Sequence, residues 1–180
     1  MSQIKLITKA NFTEDTIFLP SSLKDERFNA SIDAAQNVNL KPLLGVKMFS
    51  DLLLNKTAPK YVKLLEGDVY VDSDGDSIVY PGLIYALCHW TMAHYYPRAQ
   101  NVETSHSIVT KLSQHSEPIS SKEISRSVSD FLAIGSSYFN EDVKKYICEH
   151  KTDFPLYSFH ICNTSPNTGP VTISAIGGDD

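Results

Sequence analysis

The chain has 180 residues, 42% of them hydrophobic and 21% charged, an ordinary globular composition with enough length for one domain and its own core. A formal net charge of -5 and a pI near 5.6 argue against a protein that grips nucleic acid through clustered Lys and Arg. Met1 to Ala10 has no long apolar run behind a basic start, and the longest apolar stretch, Leu83 to Tyr96, is short for a membrane span and contains His89 and His94. A soluble protein is expected, and the three widely spaced cysteines, Cys88, Cys148 and Cys162, read as reduced, buried thiols of a cytosolic fold.

Ile4 to Leu19 mixes apolar and polar residues without a period, so its secondary structure is left open. From Asp25 the pattern sharpens: Phe28, Ile32 and Ala35 recur at helical spacing, with Asp25 placed to cap the first turn. This helix is expected to stop near Asn39, because residues ahead of Pro42 avoid the helical region, and Pro42 can open a second helix. Leu44, Met48 and Leu52 line the second helix, which ends at Asn55. A third, Pro59 to Glu66, turns Tyr61, Leu64 and Leu65 inward and halts at Gly67.

Val69 to Tyr80 has β-branched and aromatic runs on both sides of Asp74-Gly75, which predicts a hairpin with a two-residue turn. Pro81-Gly82 then reverses the chain into a helix that is apolar nearly all round, through Leu83, Leu87, Trp90 and Ala93, and is expected to be central and to end at Pro97. Arg98 to Glu117 is rich in Ser, Thr, Asn and His and reads as an exposed loop or protruding hairpin of functional length. A capping box, Ser120 to Glu123, opens a long helix from Ser121 to Glu149 whose apolar face is Ile124, Val128, Phe131, Tyr138, Val143 and Tyr146. Gly135 marks either a bend or a close helix contact within it. Beyond Asp153-Phe154-Pro155 the composition turns to Ser, Thr, Asn, Gly and Pro, ending in the β-prone run Val171 to Ile176. The expected fold is mainly α: a small helical bundle over residues 1–157 with a long C-terminal helix and one β-hairpin, followed by an extended C-terminal arm over 158–180.

The chemistry-bearing residues do not assemble into a recognised site. Asp72, Asp74 and Asp76 around Gly75 fail the calcium-loop spacing, since the glycine comes too early and no distal glutamate follows, so they read as a solvated turn. His89 and His94 stand five apart and point to different sides of a helix, and Cys88 beside His89 diverges from it in the same way. There is no Gly-x-Ser-x-Gly elbow and no phosphate-binding glycine loop.

Several stretches taken in order resemble the head-tail connector, or head-completion adaptor, family of tailed phages and prophages. They are Leu6-Ile7-Thr8, Ala34-Ala35-Gln36, Leu40-Lys41-Pro42-Leu43-Leu44-Gly45, Tyr61 to Gly67, Gly75 with Tyr80-Pro81-Gly82-Leu83, Ser116-Glu117-Pro118-Ile119-Ser120, and Tyr138 to Tyr146 with Pro155-Leu156-Tyr157. The tail after Tyr157 departs from that pattern. The resemblance implies a non-enzymatic virion protein without a cofactor or metal, made in the host cytoplasm and placed at the neck of the particle. It would form a ring of about twelve copies that docks on the portal protein, meets the next neck or tail ring, and extends the channel for passing double-stranded DNA without sequence-specific binding and without a membrane. The acidic balance fits a channel through which DNA slides.

Partner contacts are expected from the polar segment after the apolar helix, through Glu103, Ser107, Ile108, Lys111 and His115, and from the C-terminal arm, through Val171, Ile173 and Ile176. Two other readings stand beside the connector: a small helical enzyme or ligand-binding domain using the surroundings of Cys88, His89 and Trp90, and an assembly chaperone absent from the virion.

Overall fold

A helix with no polar face has to be surrounded, and α5 (Leu83–Ala99) is the axis on which the other elements pack. The computed structural model describes residues 4–13, 17, 23–99, 101–103, 108–110, 120–158 and 162, with backbone alone at 99, 101–103 and 108–110. On α5, Ala86, Leu87, Cys88, Trp90 and Thr91 are fully buried and His89 nearly so. The long predicted helix is observed as α6 (Ser121–Tyr138), a π-helical turn (Phe139–Val143) and α7 (Lys144–Glu149) in unbroken succession. Its capping box forms as expected: the Glu123 amide donates to Ser120 Oγ (3.2 Å) and the Ser120 amide to Glu123 Oε2 (2.9 Å).

α6 runs antiparallel along α5. Tyr85 meets Tyr138 at one end, with ring centroids 4.7 Å apart, and Tyr96 meets Phe131 at the other, 5.9 Å apart. Gly135 is the point of closest approach. A Cβ there would lie 2.7 Å from Trp90 Nε1, 2.8 Å from Trp90 Cδ1 and 3.2 Å from the Ala86 carbonyl. Of the two readings of this glycine, close helix contact is the observed one.

On the other side of α5 lies α1 (Asp25–Ala34), where Phe28 packs edge-on against Tyr95 with centroids 5.7 Å apart. Asp25 does not cap this helix; Lys24 holds the cap position, and the Asp25 carboxylate is instead in an ion pair with Lys9. Nor does the helix stop at Asn39. It continues through a π-helical turn (Ala35–Leu40) into α2 (Lys41–Leu44), with the Lys41 amide donating to the Gln36 carbonyl five residues back. That widened turn relaxes the hydrogen-bond ladder where the Pro42 ring would meet a carbonyl, so the proline is passed. The break comes at Gly45, whose φ of 77° reverses the chain into α3 (Val46–Leu54). Gln36, inside the π turn, is fully buried yet bonded at both ends of its amide: Oε1 accepts from the Leu6 amide (2.6 Å) and Nε2 donates to the Ile4 carbonyl (3.1 Å). The N-terminal segment is thereby pinned to the bundle.

α4 (Pro59–Glu66) leads into the hairpin β1 (Asp68–Val71) and β2 (Ser77–Tyr80), antiparallel with Val69 opposite Val79 and Tyr70 opposite Ile78. The turn is longer than the two residues expected. The Gly75 amide donates to the Asp72 carbonyl (3.1 Å) and the Asp72 amide to the Asp76 carbonyl (2.9 Å), so Ser73, Asp74 and Gly75 form a three-residue loop. Only Gly75 takes positive φ, at 91°, because Asp72 Oδ1 accepts from the Asp74 and Asp76 amides and holds the rest of the loop in ordinary backbone regions.

Two further expectations are corrected. Pro97 does not end α5, which runs two residues further to Ala99; the proline has no amide to give the Ala93 carbonyl, and beyond it Arg27 Nη1 donates to the Arg98 carbonyl (2.8 Å). Cys148 and Cys162 are not free thiols but a disulfide, because turns from His150 to Tyr157 bury Phe154 and Tyr157 and lead the chain back beside α7. Cys88 is free and buried, as expected.

The segment between α5 and α6 contains β3 (Asn101–Glu103) paired antiparallel with β4 (Ile108–Thr110). The extended arm over 158–180 lies outside the described residues apart from Ser158 and Cys162.

Replacing Gly135 by Val would drive two methyl groups into the Trp90 ring, and overpacking of this kind costs about 2 kcal/mol. Thermal unfolding of Gly135→Val is expected about 4–8 °C below the parent, with an unchanged helical circular dichroism spectrum.

Candidate interaction surface

The hairpin is apolar on both faces, and only one of them is used inside the domain. Tyr70 and Tyr80 point inward, 7% and 2% exposed, while Val69, Val71 and Val79 point out at 66%, 65% and 71%. The inner face is clamped to α7. Tyr80 stacks on Tyr146 with centroids 4.3 Å apart and planes at 13°, and Tyr70 meets Tyr146 and His150 edge-on at 5.3 and 5.2 Å. Tyr80 donates its hydroxyl to the Leu64 carbonyl (2.8 Å), tying the hairpin to α4 as well.

Ion pairs frame the clamp. Asp68 Oδ2 accepts from Tyr146 (3.2 Å) and pairs with Lys63 (3.0 Å); burial pushes this carboxyl up, but the Lys63 and Val69 bonds outweigh it and its pKa is lowered. At the turn, Asp72 Oδ2 holds Lys145 (3.2 Å), and the Asp76 amide followed by Lys145 lowers the Asp72 pKa. Asp74 and Asp76 stand exposed beyond it, in no ion pair among the described residues. Both oxygens of Asp72 are thus committed to the chain's own donors, which matches the reading of this turn as structural.

The apolar exposure continues elsewhere along the chain. Val46 and Leu54 on α3 are 64% and 75% exposed, although Met48 and Leu52 of the same helix are fully buried. Positions 46, 47, 50 and 54 fall within roughly 100° of the helix circumference, so Val46, Lys47, Ser50 and Leu54 form one outward stripe.

Of the residues expected from the sequence to contact partners, two lie in described elements. Glu103 and Ile108 face each other in the β3–β4 ladder. Ser107, Lys111, His115, Val171, Ile173 and Ile176 lie outside the described residues. The valine face and the α3 stripe were missed, although alternating Val69, Val71 and Tyr70 already marked a strand apolar on both sides.

The polar groups of α5 serve the core. Cys88 Sγ lies 3.7 Å from the Asn11 carbonyl, and burial pushes the thiol up to about 12. His89 Nδ1 donates to the Tyr85 carbonyl (2.9 Å), away from the thiol's partner, and His94 Nε2 to Asn39 Oδ1 (2.7 Å). Among the described residues no three His, Cys, Asp or Glu side chains converge as metal ligands, and no helix is long and apolar enough to cross a membrane.

A protein-family model matches residues 40–167, from the end of the π-helical turn through the clamp: the family of unknown function DUF6712. The chain belongs to this family. No curated protein and no solved structure matches it. The DUF6712 match takes in α3, the hairpin and α7, so both exposed apolar patches and the clamp lie within the family region.

Two measurements probe these assignments. Burial lowers the pKa of His89, against the Tyr85 bond, and burial followed by the Arg98 charge lowers that of His94. The unfolded chain therefore takes up protons near pH 6.5 that the folded chain refuses, so stability is complete above about pH 6.5 and falls as the pH drops toward the depressed folded values. The melting temperature should decline from about pH 7 to pH 5, and His94→Gln should flatten that slope. Calcium up to millimolar levels should leave the melting temperature within about 1 °C, because Asp72 is already saturated by amides and Lys145; a rise of several degrees would contradict this.

Proposed function

We propose that this DUF6712 chain is a structural component of a tailed-phage neck, a head-tail connector ring that docks on the portal and joins capsid to tail. The observation that carries the reading is the outward valine face of a hairpin whose other face is locked to the bundle by Tyr80, Tyr70 and Tyr146. A rigidly mounted apolar surface of this kind fits permanent contact with protein, since isolated domains rarely leave contiguous apolar patches uncovered. The order of elements supports the same reading: short helices, hairpin, central apolar helix, a polar segment carrying β3 and β4, then the long helix. The resemblance to connectors rests on residues at these corners, among them Gly45, Gly67, Gly82 and Pro155. Enzymatic use of Cys88 with His89 draws no support from the geometry, because their polar atoms bond to different carbonyls.

In this reading the ring wall is helical, its lumen passes DNA without gripping it, and the segment between α5 and α6 reaches a neighbouring protein. Mass spectrometry of purified virions should find the chain at a copy number close to that of the portal protein. Recovery only from the lysate, never from particles, would overturn the reading in favour of a chaperone. Deleting Thr104 to Gln114 leaves roughly ten residues to join two antiparallel helices, which is ample. The deleted protein should fold, melt within about 3 °C of the parent and fail to enter particles; unfolding would instead assign that segment to the core.

A further inference from the structure

Among the described residues, an exposed apolar patch on the hairpin and another on α3 carry unpaired charges of opposite sign beside them and complement each other. On the hairpin, Val69 and Val79 are directly opposed and Val71 lies two residues along, giving a flat face about 7 Å by 5 Å. Its rim at the turn is acidic, with Asp74 and Asp76 exposed and outside any ion pair among the described residues. On α3, Val46 and Leu54 stand about 12 Å apart along the axis, separated by the small Ser50. One cation stands on that stripe: Lys47 is exposed and in no ion pair among the described residues, while the neighbouring Asp51 carboxylate is taken up by Tyr61, Asn55 and Lys60. A flat strand face accepts a helix ridge of small and aliphatic residues, and the unspent carboxylates of one patch match the unspent ammonium of the other.

We infer that copies of this chain join head to tail, the Val69–Val71–Val79 face of one copy seating on the Val46–Lys47–Ser50–Leu54 stripe of the next, with Asp74 and Asp76 against Lys47. Because the two patches are different surfaces, each copy offers one of each, and the contact repeats into a ring or a filament rather than stopping at a symmetric dimer. This deepens the connector reading, which requires a self-contact without saying where it lies. It does not depend on the portal.

The test uses full-length protein in sedimentation velocity from about 1 µM to 1 mM, with two double variants at exposed positions, Val69→Ser with Val79→Ser, and Val46→Ser with Leu54→Ser. Circular dichroism and melting establish that both fold. The parent should associate increasingly with concentration, and each variant should weaken that association about tenfold or more. Mixed together, the two variants should form a dimer that does not grow, since one supplies only an intact hairpin face and the other only an intact α3 stripe. A parent that stays monomeric to 1 mM, or an α3 variant that associates like the parent, overturns the inference. So does loss of association on removing residues 163–180, a truncation that keeps the Cys148–Cys162 bridge, with the α3 variant unaffected, which would make the C-terminal arm the occupant of the hairpin. Each of these failures leaves recovery from virions as an independent measure of the connector reading.

Discussion

The separation of α5 and α6 is set at one place, where the Trp90 indole lies against the backbone of Gly135. Two helices packed through large side chains stand about 8–10 Å apart, and a glycine opposite a tryptophan lets the larger ring fill the gap without forcing the axes further away. With that spacing fixed, Tyr85 can reach Tyr138 at one end of the seam and Tyr96 can reach Phe131 at the other. The π-helical turn after Tyr138 then carries the chain on to α7, bringing Tyr146 beneath the hairpin. The placement of the exposed valines is therefore a distant consequence of a contact in the centre of the bundle.

The clamp itself combines two kinds of interaction that do different work. The aromatic stack of Tyr70, Tyr80, Tyr146 and His150 buries area and contributes stability in proportion to it. The polar bonds give orientation: Tyr80 to the Leu64 carbonyl, Tyr146 to Asp68, and Lys145 to Asp72 fix the hairpin against sliding or rotation. Exposed ion pairs of the latter sort add little free energy, but they select one register among several that the rings alone would tolerate. A two-stranded hairpin is marginal in isolation, so its persistence here depends on α4 and α7.

What could be read from the sequence was mostly local. The capping box at Ser120 and Glu123, the stop at Gly67 and the nearly all-apolar run around Trp90 each involve neighbours within a few residues, and each is observed as expected. The exceptions are places where packing overrode a local preference. Pro42 is passed because the preceding turn widens around buried Gln36, whose amide has to reach Leu6 and Ile4 some thirty residues away. The Cys148–Cys162 bridge depends on Phe154 and Tyr157 turning the chain back, which composition alone does not reveal. At the surface, alternation made Val69 and Val71 candidates for one face and Tyr70 for the other, but choosing the inner face required knowing that Tyr146 and His150 lie beneath. Of the partner-contact residues taken from the sequence, Glu103 and Ile108 fall in a described ladder, while the patches that the fold exposes lie on other elements.

Rigid mounting also bears on how such a surface binds. Ordering a side chain or a loop at an interface costs free energy that is subtracted from the contact, and valine on a fixed strand has almost none left to lose. The three valines of the hairpin and the two aliphatic residues of α3 sit on elements already held by buried neighbours, Tyr80 on one side and Met48 and Leu52 on the other. A small contact between them can therefore be productive although each patch alone is modest. In the proposed ring every copy would be held by two such contacts, so releasing one copy would require breaking both at once, and weak pairwise affinity would become firm assembly through high effective concentration. In the proposed connector, modest contacts would leave free subunits apart at low concentration and let them close once a template or their own accumulation brings them together.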